Sequence, residues 1–214
     1  MKLVCISDTH ELHRELEVPP GDILLHAGDF TFFGRTRRAI VDFNDWLGEL
    51  PHRHKVVVPG NHEYLLEGNP EFGRLITNAH LLINESVVVE GVRIWGSPLT
   101  RHDGGAFGRS HALDRIRIYE TIPADTEILI THGPPHGILD TSGAANSAPA
   151  GDVELRRAVV RIRPRLHLFG HIHPGYGIRP TRHTLFVNAA LLGADGSLAK
   201  RPIVLELGER DCGT

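Results

Sequence analysis

The apolar positions of this chain fall into short runs. Residues 3–6, 23–25, 55–58, 128–130 and 166–169 are β-branched or Leu-rich and about the length of a buried strand, and turn-forming residues bound them. The residues just after each run are unusual. The first run leads into Ser7-Asp8-Thr9-His10 and the second into His26-Ala27-Gly28-Asp29. The third leads into Pro59-Gly60-Asn61-His62, the fourth into Thr131-His132-Gly133, and the last into Gly170-His171-Ile172-His173. Metal-ligand residue types thus recur at the C-terminal ends of successive strands. Open α/β sheets bind ligands outside the carboxyl ends of their strands, so these ends are expected to converge on one rim.

Between the strands, residues 36–49 place Ile40, Phe43, Trp46, Leu47 and Leu50 at helical spacing, with Thr36 as N-cap. Residues 152–162 place Val153, Leu155, Val159 and Ile162 on one side of a second helix, which Asp152 caps and Pro164 stops. A hairpin is expected at 87–95 around Glu90-Gly91, with further strands at 185–187 and 203–207. The Gly-, Pro-, Ala- and Ser-rich stretch 133–150 reads as a rim loop. No repeat interrupts the pattern, and a single domain over 1–214 is expected.

Composition narrows the classes. With 41% hydrophobic and 23% charged residues, the balance is that of a globular protein rather than a disordered or fibrous one. A net charge of -3 supplies no bulk field toward nucleic acid or anionic lipid. No run approaches the ~18 apolar residues of a membrane span. The two cysteines, Cys5 and Cys212, lie at opposite ends of the sequence, and no signal-peptide pattern precedes Asp8, so a reduced cytoplasmic setting is expected. The histidine count, 15, makes the placement of these residues the central question.

Asp8-x-His10, Gly28-Asp29, Gly60-Asn61-His62-Glu63, His132 and Gly170-His171-x-His173 are weak motifs singly and a strong one in order. A two-metal site for phosphoryl transfer holds its ions roughly 3.5–4 Å apart. A carboxylate must bridge them, and neutral imidazoles complete each shell without overcharging it. Mixed N/O donors suit Mn, Fe, Co or Zn better than Mg or Ca. Two carboxylates against two divalent ions leave about +2, which attracts a phosphate and stabilises its transition state. The bridging water, made acidic, is the expected nucleophile.

These residues resemble the calcineurin-like metallophosphoesterases, from Val4 to about Asn188, and more closely their metallophosphoesterase-domain-containing branch. The stretches that carry the resemblance begin with Ile6-Ser-Asp-Thr-His-Glu-Leu-His13 and residues 20–31. They continue through Gly60-Asn-His-Glu63, Trp95-Gly-Ser-Pro98, Thr131-His-Gly-Pro-Pro135 and Phe169-Gly-His-Ile-His173. The resemblance implies a four-layer α/β/β/α sandwich with two mixed sheets. It implies that Asp8, His10, Asp29 and His173 hold one divalent ion and Asp29, Asn61, His132 and His171 the other. Manganese or iron is expected, with zinc, cobalt or nickel as options. His62 would not bind metal but would face the phosphate as catalytic residue, and Asn61, His62 and Tyr176 would contact substrate. The implied reaction is hydrolysis of a nucleotide-like or cyclic-nucleotide phosphodiester by a metal-bridging hydroxide. Segment 101–118 departs from the branch pattern and leaves the substrate open.

Two other functions compete with this one. A DNA or RNA nuclease would use Arg156, Arg157, Arg161, Arg163 and Arg165, for which a solvated outer face is the favoured reading. A binding or scaffold protein would be expected to have lost ligands, and none is lost. His26 reads evenly as support for a ligand or as a core residue, and His13 lacks an assignable role. His167 reads as packing, and Arg101 and Arg109 as solvated or as clamps on a second phosphate. The sequence leaves the oligomeric state open.

Overall fold

The computed structural model describes residues 1–141, 143 and 148–208. Part of the expected loop at 133–150, and Cys212, lie outside the described residues. The elements, in chain order, are β1 (Lys2–Ile6), β2 (Ile23–His26), α1 (Arg37–Glu49), β3 (His54–Val57), α2 (Tyr64–Gly68), β4 (His80–Leu81), β5 (Glu85–Val89) and β6 (Val92–Ser97). There follow α3 (Ala112–Glu120), β7 (Ile128–Thr131), α4 (Val153–Ile162), β8 (Leu166–Phe169), β9 (Gly177–Pro180), β10 (Leu185–Asn188) and β11 (Ile203–Glu206).

The strands form two mixed sheets, ordered β11-β1-β2-β3-β4 and β5-β6-β7-β8-β10-β9. Strands β1 to β4 run parallel and β11 pairs antiparallel with β1. In the second sheet β6, β7, β8 and β10 are parallel, with antiparallel β5 and β9 on its edges.

The apolar runs do not alternate with polar residues because both faces of the central strands are covered. Leu3 and Cys5 of β1 point between the sheets, toward Ile128, Ile130, Leu166, Leu168 and Val187. Their neighbours Val4 and Ile6 point the other way, into a layer with Ile40, Phe43, Trp46 and Leu47 of α1. On the far side, Leu129 and Phe169 pack against Tyr119 of α3 and Leu155, Val159 and Ile162 of α4. These three cores separate four layers, as expected. Each fully buried Leu or Ile contributes roughly 1.5–3 kcal/mol.

Both expected caps form: Thr36 accepts the N–H of Ala39 at 3.3 Å and Asp152 that of Glu154 at 2.9 Å. Val153, placed on the buried side of its helix by spacing, is instead exposed. The hairpin turn is made by Glu90 (φ 48°) and Gly91 (φ 78°), both in the left-handed region that a two-residue turn requires.

The departing segment 101–118 contains the start of a helix that periodicity does not reveal. Leu113 of α3 is exposed, whereas Arg115 and Tyr119 are buried, so hydrophobicity does not mark its inner face. The Arg115 Nε donates to Asp152 Oδ2 at 2.8 Å, and the Tyr119 hydroxyl donates to the same oxygen at 3.0 Å. Further along, Asp140 accepts the N–H groups of Gly137 and Gly151 at 2.9 and 2.8 Å, which fastens both ends of the rim loop. Among the described residues, no helix is long and apolar enough to cross a membrane.

Candidate metal centre

Register brings the ligand-bearing turns together. Ile6 of β1 lies opposite His26 of β2, and His26 opposite Val57 of β3, so the chains leave the first sheet at one level. The two sheets meet at this rim, where Ser7 bridges to Ala190 and Leu191 N–H donates to the Ser7 carbonyl at 3.1 Å. Sharp backbone turns then swing the side chains inward. Asp8 (φ 56°), His10 (φ 42°), Asp29 (φ 54°) and His171 (φ 65°) all occupy the left-handed region, a strained conformation that clusters at functional sites. Glycine at 170 is obligatory for a related reason: a Cβ there would lie 2.1 Å from Asp8 Oδ2.

Three groups result, each with ligand atoms within 4.8 Å of one another: Asp8 with His10 and His173, Asp29 with His132 and His171, and His10 with Asp29 and His62. Asp29 joins them. Its Oδ2 lies 3.2 Å from His132 Nε2, 3.8 Å from His10 Nε2 and 3.9 Å from His62 Nε2. Asn61 Oδ1 lies 2.8 Å from His132 Nε2, and His173 Nε2 lies 3.2 Å from Asp8 Oδ1. The seven residues expected to hold metal therefore lie in one cluster, and His62 falls in it as well, grouped with His10 and Asp29. His62 stands at its edge, with 27% of its side chain exposed.

The donor set fits divalent cations. The His132 Nδ1–H donates to the Ala27 carbonyl at 2.9 Å, which leaves the Nε2 lone pair facing two oxygen acceptors. Lone pairs converging at these distances require a proton or a metal between them. The protonation pattern says the same. Burial opposes a charge on His132, yet the Asp29 carboxylate beside it lifts the pKa to about 9. Burial opposes ionisation of Asp8 too, but the His173 hydrogen bond and the neighbouring imidazoles hold it well below the usual carboxylate range. Burial lowers His171 to about 4 and also lowers His10, which keeps both imidazoles neutral and able to offer a lone pair. His10 Nε2 sits 4.0 Å from Asp8 Oδ1 and 3.8 Å from Asp29 Oδ2, beyond hydrogen-bond reach of either and suited to coordination through an ion.

Several residues to which the motifs assign no metal hold the candidate ligands in place. Glu63 is buried, and its carboxylate accepts the N–H groups of Asp29 at 3.0 Å, Thr31 at 2.9 Å and Gly60, plus the Thr31 hydroxyl at 2.8 Å. Burial and the nearby Asp29 charge push Glu63 up to about 7. His26 bridges two ligand turns: its Nδ1 accepts from Gly28 N–H at 3.2 Å and its Nε2–H donates to Thr9 Oγ1 at 3.1 Å. In the second sheet, His167 Nε2–H donates to Thr131 Oγ1 at 2.9 Å, beside His132. Burial lowers the pKa of both histidines to about 3. Asn188 Nδ2 donates to the Ile172 carbonyl at 2.9 Å, and the Lys200 ammonium donates to the His173 carbonyl. Glu63, His26 and His167 lie close in sequence to the motifs, and His26 is already a candidate support there; Asn188 and Lys200 lie well beyond the last motif and carry no such signal.

The other candidates have partners of their own. His13 is buried under α1, 3.0 Å from Asp42. Tyr176 donates its hydroxyl to the Arg201 carbonyl at 2.8 Å, and Lys200 Nζ lies over its ring. Arg101 donates to the Gly151 carbonyl at 3.0 Å and Arg109 to Glu67 at 3.0 Å. The arginines of the helix region have separate partners: Arg157 pairs with Glu154, Arg161 donates to the Tyr119 carbonyl and Arg165 pairs with Glu127.

The sequence model of the calcineurin-like phosphoesterases matches residues 1–175. Metallophosphoesterase domain-containing protein 1 of Homo sapiens is 36% identical over 232 residues, a match that spans 96% of this chain and 71% of that protein. A UPF0046 protein of Caenorhabditis elegans is 36% identical over 225 residues, spanning 98% of this chain and 76% of the other. A crystal structure from Thermus thermophilus shares the fold with a TM-score of 0.58 at 15% identity, covering 87% of this chain and 88% of that one. With its candidate ligands gathered at the strand ends, this chain belongs to the calcineurin-like phosphoesterase family.

Proposed function

We propose that this chain is a dinuclear phosphodiesterase that hydrolyses nucleotide-like or cyclic-nucleotide phosphodiesters, with manganese or iron as its metals. The observation that carries the reading is the placement of Asp29, whose Oδ2 faces the Nε2 atoms of His132, His10 and His62 at 3.2, 3.8 and 3.9 Å. One carboxylate between two sets of imidazoles is the arrangement that two closely spaced ions require. Asp8, His10, Asp29 and His173 would hold one ion, and Asp29, Asn61, His132 and His171 the other. When bound, such ions neutralise phosphoryl oxygens and supply a nucleophile at neutral pH.

The remaining chemistry belongs to the chain. His62 Nδ1–H donates to the Phe32 carbonyl, and the His62 backbone N–H donates to Asp29 Oδ1 at 2.9 Å. Both bonds aim Nε2 at the pocket from its open side. A proton held there can be given to the departing oxygen of an ester. Asn61, tied to His132, offers its amide to the same phosphate.

The test is release of nitrophenol from bis(p-nitrophenyl) phosphate by the purified protein with Mn²⁺ and with chelator. Metal-dependent release is expected. No release in any divalent metal would overturn the reading.

A further inference from the structure

We propose that Phe32 and Phe33 form a binding platform for a planar aromatic group esterified to the substrate phosphate. The inference rests on the phosphoesterase reading and adds the class of group that the site selects.

Large apolar side chains here are mostly buried, yet Phe32 and Phe33 are 51% and 53% exposed. They meet edge to face, with ring centroids 4.6 Å apart. Their place is not arbitrary. The Phe32 ring lies 6.0 Å from the His10 ring and 6.2 Å from that of His62, and the Phe33 ring lies 6.0 Å from His62. Both phenyls therefore border the open side of the metal pocket, where the proposed proton donor stands.

The backbone beneath them is fixed at each step. Thr31 is bound to Glu63 through both its N–H and its hydroxyl. Phe32 N–H donates to Glu11 Oε1 at 3.1 Å, and its carbonyl accepts from His62 Nδ1. The Gly34 carbonyl accepts the N–H of Leu65 at 2.9 Å. Gly34 itself has φ 51°, and a Cβ there would lie 2.2 Å from the His62 carbonyl oxygen. The loop is thus seated on the loop that carries Asn61 and His62, so the exposure of the rings is built into the site.

A rigid aromatic pair beside a phosphate site fits a flat ring. Stacking on such a surface is sequence-tolerant among nucleobases and is worth enough to read in binding. An aliphatic ester gains little from it. The shared hydrogen bond between His62 and the Phe32 carbonyl also links the platform to the proton donor, so a ring seated there places its ester oxygen near His62.

The experiment is calorimetric titration of the Mn²⁺-loaded protein with phenylphosphonate, adenosine 5′-monophosphate and methylphosphonate. Wild type is expected to bind the two aromatic ligands about tenfold more tightly than methylphosphonate. The F32A/F33A double variant should lose that preference while its methylphosphonate affinity stays unchanged. Phe33→Leu, which keeps apolar bulk without a ring, should lose part of it. A loss confined to phenylphosphonate supports a platform for simple aryl groups, and a loss for both supports one that also takes nucleobases. If the double variant keeps the preference, or wild type shows none while binding methylphosphonate, the platform is overturned and the patch faces another kind of partner. If wild type binds none of the three, the phosphoesterase reading falls and this inference falls with it.

Discussion

The carboxylate of Glu63 accepts the backbone N–H of Asp29 at 3.0 Å, linking the strand end that carries Asp29 to the loop that carries Asn61 and His62. No cation pairs with Glu63 among its hydrogen-bond partners; its four bonds come from backbone N–H groups and one hydroxyl. Glu63→Ala would leave these donors buried without acceptors, each worth roughly 1–3 kcal/mol. A drop of at least about 3 kcal/mol in unfolding free energy is expected, together with lost metal. Glu63→Gln should rescue poorly, because its amide would aim donors at donors. Denaturant unfolding with metal analysis checks both variants, and wild-type metal retention in Glu63→Gln would refute this role.

Asp29 and Asn61 should differ sharply. Asp29→Asn removes the oxygen charge shared by both half-sites, and bound Mn²⁺ is expected to fall from about two ions per chain toward none. Asn61→Ala trims one half-site and should retain about one. Elemental analysis after gel filtration reads the difference; equal content in both variants would argue against a shared carboxylate.

His62→Ala should keep its metal and lose roughly 10²–10⁴-fold in turnover. The pH profile should change as well, because the variant has lost its proton donor. Turnover equal to wild type would assign protonation to another group.

Two buried histidines predict an acid limb in stability. His26 and His167 titrate at about 3 in the folded chain against 6.5 ordinarily, because burial disfavours their charged forms. Between those values the unfolded chain binds protons that the folded chain does not. Their contribution is therefore fully present above pH 6.5 and is lost as pH falls toward 3. Between about pH 7 and about pH 5 the raised Glu63 works the other way, because the folded chain takes up its proton first, so the histidine effect is read as a difference: denaturant midpoints should fall less steeply for His167→Gln than for wild type. Parallel profiles for the two proteins would contradict the assignment.

Arg115→Ala breaks a buried pair and strands the charge of Asp152. A loss of about 3–5 kcal/mol is expected, with proteolytic susceptibility rising in the 101–111 segment that Arg115 binds through the Arg109 and Ser110 carbonyls. Stability within experimental error of wild type would show that the pair adds nothing net.

Local order in the sequence sufficed for much of this protein. Short apolar runs ending in Asp, Asn and His mark strands whose two faces are both buried, and the ends of such strands form a rim. Thr36 and Asp152 announce their helices because a cap is a contact between near neighbours. Elements whose partners are distant were not legible. The α3 helix hides its inner face behind Arg115 and Tyr119, whose burial makes sense only beside Asp152 of another element. Edge strand β9, with Ile178, Arg179 and Pro180 exposed, has no apolar pattern and exists by pairing with β10. The motifs named the candidate ligands, but the acceptor-to-acceptor geometry around Asp29 and the supports from Glu63, His26, His167 and Asn188 arise only when turns from both sheets meet. So does the exposure of Phe32 and Phe33. In the sequence they read as two more apolar residues, and only the seating of residues 31–34 on the His62 loop leaves them facing solvent beside the site.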